Sequence, residues 1–303
     1  MSTFLLFSFS ALVGLCSKVT SKLCSNLVPQ NSPARYALFL LINCLVGCLF
    51  FFSSGGGNVP VNLSTLLYAA GYALIVTGSI LTGLIVLRYA SISGVGILSG
   101  ACSLLCTVLL GRLLFAEQIG ARDWLRLCVM LIATAFVFMD ARKAGKSTHT
   151  DAPKPRHALL PLALTIAAMT VIGCANTILL KYFVADSNVL GENSLFFYAN
   201  AILCVGAAIV FLFTGLKNKA DVRASLPLLH PKRILVVAGN TALSNVSSLL
   251  SVLLIARVDI AILSPVNTAL GIIVGVVASL LFREKLGIHS YVAAAIACLS
   301  MFL

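Results

Sequence analysis

From Leu63 to Leu114 the chain is apolar for 52 residues, and before Arg112 it carries one charge, Arg88. As a single α-helix that run would extend about 78 Å, against a bilayer core of about 30 Å. It must cross twice, with its reversal close to Arg88 near the midpoint. The rest of the chain calls for the same solvent. Of 303 residues, 60% are hydrophobic and 10% charged, and the mean hydropathy is +1.05. A soluble domain carries about 25% charged residues, so this chain is solvated mostly by lipid.

A span needs about 20 apolar residues. On that measure the first half of the chain holds spans at about 3–21, 36–54, two within 63–114, and 124–140. The polar, basic segment 141–158 (ARKAGKSTHTDAPKPRHA) divides the halves. The second half repeats the plan at about 159–181, 195–216, 232–256, 260–282 and 288–303. Again two spans form one apolar run, with Arg257 and Asp259 at its middle. The N-terminal stretch MSTFLLFSFSALVGLC has no basic region ahead of its apolar run. It reads as a retained first span rather than a cleaved signal.

The halves also share residues. LLFAEQIG, from Leu113 to Gly120, returns as LLFREKLG, from Leu280 to Gly287, at an offset of 167 with five of eight positions identical. Gly14, Ser17 and Lys22 match Gly173, Asn176 and Lys181 at an offset of 159. The difference of eight residues falls in the loop near 217–232. Five spans per half is an odd number, so two halves of like fold must lie upside down relative to each other. The expected fold is an all-α membrane protein: ten transmembrane helices as two inverted five-helix repeats, 1–140 and 159–303, joined by the linker 141–158.

With the N-terminus outside, the inner loops hold 16 of the 21 Lys and Arg residues. The positive-inside rule then places both termini outside. The net charge of +12 belongs to these loops, between apolar runs. It forms no amphipathic face, which argues against nucleic acid as a partner.

The repeated Phe-x-Glu-x-x-Gly turns, the five-plus-five plan and the tight hairpins before each turn resemble the drug/metabolite transporter superfamily, in particular its ten-helix EamA-type group. The resemblance covers essentially the whole chain. It implies a secondary transporter of a small organic solute in the cytoplasmic membrane, working by alternating access between inverted repeats. One departure is visible. EamA-type members commonly carry a basic loop between spans two and three and keep both termini inside. Here that loop, from Ser53 to Thr65, has no charge.

Span 232–256 is the most polar, with Asn240, Thr241, Ser244, Asn245, Ser247, Ser248 and Ser251 gathered on one side. Such a stripe is either the wall of a hydrated substrate cavity or a helix-packing seam. The cavity candidates are Asn240, Ser244, Ser247 and Ser251 here, with Asn240 and Ser244 nearest the midplane. Ser17 and Asn176 join them from spans one and six, and Ser264 and Asn267 from span nine. Pro265 frees a backbone carbonyl in span nine, which a neighbour or a ligand must satisfy. Gly96 and Gly100, like Gly271 and Gly275, have the spacing that lets helices approach closely. Glu117 and Glu284, in the repeated turns, sit beside Arg112, Arg122, Arg283 and Lys285 as structural pairs, a gate or surface ion pairs. Lys22 and Lys181 end their helices and snorkel.

No Asp, Glu or His falls in the middle of a span, so a carboxylate proton relay has little support. The ten cysteines lie in or beside apolar runs, and the four histidines lie in polar segments away from the cysteine pairs. Neither a metal site nor a disulfide framework is expected. No catalytic constellation, cofactor motif or nucleotide loop is present: Gly145-Lys146-Ser147 lacks the first glycine of a P-loop, Asp140 standing there. The alternative to a transporter is a multispan protein of another kind, a lipid-handling enzyme or a non-transporting subunit. The expected partners are the bilayer and a small solute; the oligomeric state is left open.

Overall fold

The structure is a computed structural model that describes residues 3–25, 32–89, 92–148, 159–281 and 287–300. Glu284 lies outside them. Among the described residues every regular element is helical. Five helices among those residues are long and apolar enough to cross a membrane. Their outward side chains, such as Leu49, Val171, Val205, Leu212 and Leu235, are exposed, as a lipid-facing surface requires.

The chain forms two compact units, each assembled from both halves of the sequence. The first holds α1 (Thr3–Ser25), α2 (Pro33–Ser54), the start of α3 (Leu63–Tyr89), α7 (Glu192–Lys217), α8 (Lys219–Ser225), a 3-10 turn (Leu226–Leu229) and most of α9 (Pro231–Ile255). The second holds the rest of α3, α4 (Ile92–Phe115), α5 (Ala121–Thr148), α6 (Leu159–Ala185) as far as Lys181, α10 (Ile260–Leu281) and α11 (Ile288–Ser300).

Local chemistry explains the helix ends. Ser32 caps α2, its hydroxyl accepting from Arg35 N at 3.2 Å, and Pro33 occupies the first helical position, where its missing N–H costs nothing. The far end stops at Gly55-Gly56-Gly57. Gly56 and Gly57 adopt φ of 68° and 78°, a region that favours glycine. Their amides return to Ser53 O and Phe52 O. α3 ends at Tyr89, one residue past Arg88, where the sequence places the reversal.

Three boundaries differ from the sequence reading. α5 continues to Thr148 and takes in Arg142, Lys143 and Lys146 of the expected linker. Ala, Arg and Lys are good helix formers, so the helix outlasts its apolar face. α6 continues through Tyr182, Phe183 and Val184 to Ala185, so Lys181 is not terminal. The loop 217–232 contains α8 and the 3-10 turn.

In the first unit α2 lies along α7. The Phe51 and Phe196 rings stack at 5.1 Å, and Cys48 Sγ donates to Phe197 O at 3.8 Å. Gly47 makes the approach possible: a Cβ there would lie 2.5 Å from Asn200 Oδ1. Asn200 cannot swing away freely, because its Nδ2 donates to Phe196 O at 2.8 Å. In the second unit α5 packs on α11, and α4 on α10, around Leu104, Val108, Leu127, Met130, Ala261, Ala269 and Ala297. No described atom lies within 4 Å of a Cβ built at Gly271, and Gly96 and Gly100 lie in a part of α4 where only the backbone is described. The close approach on α6 is Gly173, 2.6 Å from Ser103 Oγ on the same measure.

Gly47→Val should lower the thermal midpoint of the purified protein, because overpacking costs about 1–3 kcal/mol. Gly206→Val, at a position with nothing within 4 Å, should leave it nearly unchanged. Equal midpoints for the two variants would show that the α2–α7 contact does not depend on the missing side chain.

Candidate functional site

Polar side chains gather at one place in the first unit, around α9. One flank of α9 meets α1. Asn240 Oδ1 accepts from Thr20 Oγ1 at 2.9 Å and from Ser21 Oγ at 2.8 Å. One turn on, Ser244 Oγ lies 3.4 Å from Ser17 Oγ. The adjacent flank meets α2 and α3. The Thr241 hydroxyl sits between Asn43 Oδ1 and Val237 O of its own helix. The Ser248 hydroxyl lies against the phenol of Tyr72, whose ring packs edge-on to Phe196.

Between Thr241 and Ser248 on that flank is Asn245. It is 8% exposed, and its Nδ2 is buried with no hydrogen-bond partner among the described residues. An unmet buried amide donor costs about 1–3 kcal/mol, and native proteins rarely leave one. The other polar groups just named in this seam are engaged. Ser248 and Ser251 also donate back to Ser244 O and Ser247 O. Among the described side chains the seam holds hydroxyls and amides and no charge.

The expected cavity residues therefore divide. Ser17, Asn240 and Ser244 are brought together, and Ser247 and Ser251 continue the stripe toward the end of α9. Asn240 and Ser244 are occupied by contacts with α1. Asn176, Ser264 and Asn267 belong to the second unit, where Asn267 is exposed. Pro265 is buried in α10 and cannot donate to the carbonyl of Ala261 one turn back. Sequence reasoning misses Thr20, Ser21, Asn43 and Tyr72, and does not single out Asn245. Thr20 and Ser21 follow Ser17 at helical spacing, a signal that could have found them. The engagement of Asn43 and Tyr72 depends on tertiary contacts.

A second group, in the second unit, surrounds Glu117. α4 ends at Phe115, and Ala116 takes φ of 52° to turn the chain back. That turn aims Glu117 at the start of α10. Oε1 accepts from Ile260 N and Oε2 from Ala261 N, both at 3.1 Å. The next two amides, Ile262 and Leu263, bond to Asp259 O at 3.0 and 2.9 Å. All four first-turn donors of α10 are thus satisfied, and the carboxylate sits at the positive end of the helix dipole. Lys181 Nζ lies 3.3 Å from Oε1 and 6.0 Å from the centre of the Phe115 ring. Glu117 is 9% exposed, so it makes no surface ion pair, and its cation comes from α6 rather than from Arg112 or Arg122. Lys181 turns to this carboxylate instead of snorkelling. Gly111 leaves the room: a Cβ there would lie 3.1 Å from Oε2 and 3.3 Å from Ile260 Cβ.

No family model and no curated protein matches this sequence. Solved structures do resemble it. One, described only as the crystal structure of a protein, aligns over 97% of this chain and 94% of its own, with a TM-score of 0.62 and 16% identity. At that identity the likeness concerns the fold alone.

Glu117→Ala should be strongly destabilising, by about 3–5 kcal/mol, because it leaves Lys181 half-buried without its anion and uncaps α10. Lys181→Met should cost less, since the two amides still hold the carboxylate. In the double variant the losses should fall short of their sum, the sign of direct coupling. Thermal midpoints of the four proteins in one detergent measure this, and strict additivity would exclude the coupling.

Proposed function

We propose that this chain is a secondary transporter of a small polar organic solute, built as ten spans in two inverted five-helix repeats of the drug/metabolite transporter type. The observation that carries the reading is the unmet amide of Asn245 within a neutral polar seam, in a protein whose outer face suits lipid. A hydrated or ligand-occupied seam is what a permeation route needs; a purely structural one has no use for a buried donor without an acceptor.

The packing within each unit supports the repeat. α2 and α7 hold the second place in their halves, α4 and α10 the fourth, and α5 and α11 the fifth. Each of these pairs packs together, as elements related by a two-fold operation do when they lie near the axis. The contact of α1 with α9 likewise has its counterpart in α6 with α3, where Ile172 lies 3.3 Å from a Cβ built at Gly78. On this reading the solute is held by hydrogen bonds to amides and hydroxyls rather than by an ion pair. The termini lie outside, from the distribution of Lys and Arg.

The test is uptake of a solute panel (neutral and zwitterionic amino acids, nucleosides, short polyols) into vesicles containing the purified chain. Asn245→Ala should weaken uptake of the transported member about five- to a hundredfold, the worth of one buried hydrogen bond, with unchanged folded yield. Asn240→Ala should affect uptake less and lower the thermal midpoint more, since its oxygen is held by α1. No uptake of any panel member by the wild-type chain would count against transport. Uptake indifferent to Asn245 would make the seam a packing device.

A further inference from the structure

The loop between α7 and α9 has a composition of its own. From Leu216 to Leu235 it carries Lys217, Lys219, Arg223, Lys232 and Arg233 against one carboxylate, Asp221. That carboxylate is turned to the first turn of α2: Oδ1 accepts from Ser32 Oγ at 2.6 Å and Oδ2 from Ala34 N at 3.2 Å. The segment is fixed to its unit. Leu228 is fully buried among Cys24, Leu38, Ile42 and Val237, and Ser225 is buried beside it. Arg35, at the start of α2, donates to Ala224 O and keeps its Nε buried without a partner among the described residues.

Lys217, Lys219, Arg223 and Lys232 are exposed. Among them stand four exposed leucines: Leu216, Leu226, Leu229 and Leu235, the first 80% exposed. α8 joins the ends of α7 and α9, two of the helices long enough to cross a membrane. A short basic segment with outward leucines at that level matches the boundary between acyl chains and headgroups. The leucines would meet water in a loop that projected from the membrane, and they suit a lipid surface better than a nucleic-acid backbone.

We propose that the α8 surface, with its leucines in the acyl boundary, binds the phosphate headgroups of anionic lipid through Lys219, Arg223 and Lys232. Charge complementarity makes the commitment: a basic cluster with its one carboxylate otherwise engaged has its counter-charge in an anionic leaflet. Each cation near such a surface contributes about 1 kcal/mol, roughly fivefold in affinity. Three together are worth on the order of a hundredfold.

The experiment titrates the purified full-length chain in neutral detergent with phosphatidylglycerol or with phosphatidylcholine and reads the thermal midpoint. Phosphatidylglycerol should raise the midpoint at concentrations where phosphatidylcholine does not, and added sodium chloride should weaken the rise. The triple variant Lys219→Gln, Arg223→Gln, Lys232→Gln should need about a hundredfold more phosphatidylglycerol. A control, Arg112→Gln with Arg122→Gln, removes two exposed cations elsewhere and should respond as the wild type does. The difference between the two lipids is read within each variant, so a lowered baseline does not obscure it. Equal responses to the two lipids, an unaltered triple variant, or an equal rise from inorganic phosphate would each overturn the proposal.

Discussion

A single carboxylate, Glu117, ties three helices of the second unit together. It lies just past the end of α4, supplies acceptors to the first two amides of α10, and draws Lys181 from α6. In a bilayer a helix end has no water to fall back on unless it reaches the headgroups, so its orphan donors must find protein acceptors. Serine or threonine in the chain before α10 could cap one amide; the carboxylate caps two and brings charge to the positive pole of the dipole. The lysine then prevents that charge from standing alone. The cost of burying both ions is offset only while each keeps its hydrogen bonds, which makes the geometry of the Phe115-Ala116-Glu117 turn a condition for the packing of α4, α6 and α10 together. Ala116 accepts a backbone region that alanine rarely enters, consistent with a turn held in shape by the contacts of Glu117.

The first unit solves a different problem. α9 has polar residues on adjoining flanks, and hydrocarbon offers them no partners. They are matched by Thr20 and Ser21 on α1, Asn43 on α2 and Tyr72 on α3. Each match ties α9 to a different neighbour, so the seam fixes the rotation of the helix, which apolar contacts alone do weakly. Such bonds are individually small, averaging about 0.6 kcal/mol in a bilayer, yet they discriminate strongly against a rotated α9 that would turn two asparagines to lipid. Asn245 is the member of the seam whose buried amide donor finds no partner among the described residues, and that burial calls for a reason outside packing.

Much of this is legible in the sequence because lipid imposes simple periodicities. The 52-residue apolar run announces a hairpin, and α3 ends beside Arg88. The Ser32-Pro33 start and the triple-glycine stop of α2 are local signals that the structure uses as written. Partnership at long range is not legible in the same way. Glu117 has Arg112 and Arg122 near it in sequence, and nothing local says that its cation, Lys181, lies on α6. Lys181 looks terminal because the first charge after an apolar run usually ends a span, whereas Tyr182, Phe183 and Val184 carry α6 a further turn. In sequence Asn245 falls into one stripe with Asn240 and Ser244. An advance of about 100° per residue separates the flanks, and only the positions of α1, α2 and α3 show which flank is already satisfied.

The two groups also divide the work of charge and hydrogen bonding. The ion pair stands at helix ends, where the Coulomb attraction, the helix dipole and four satisfied amides hold it in place. The seam around α9 is neutral among its described side chains. A charged solute in that seam would need a counter-ion, which the amides and hydroxyls there do not supply. A neutral or internally compensated solute would need only donors and acceptors, which Asn245 and its neighbours have. Specificity would then come from the alignment of hydrogen bonds, the mode in which a missing partner is penalised most heavily because the buried group left behind stays unpaired. The amide that packing leaves without an acceptor would, on the proposed reading, be the group that rewards the right occupant.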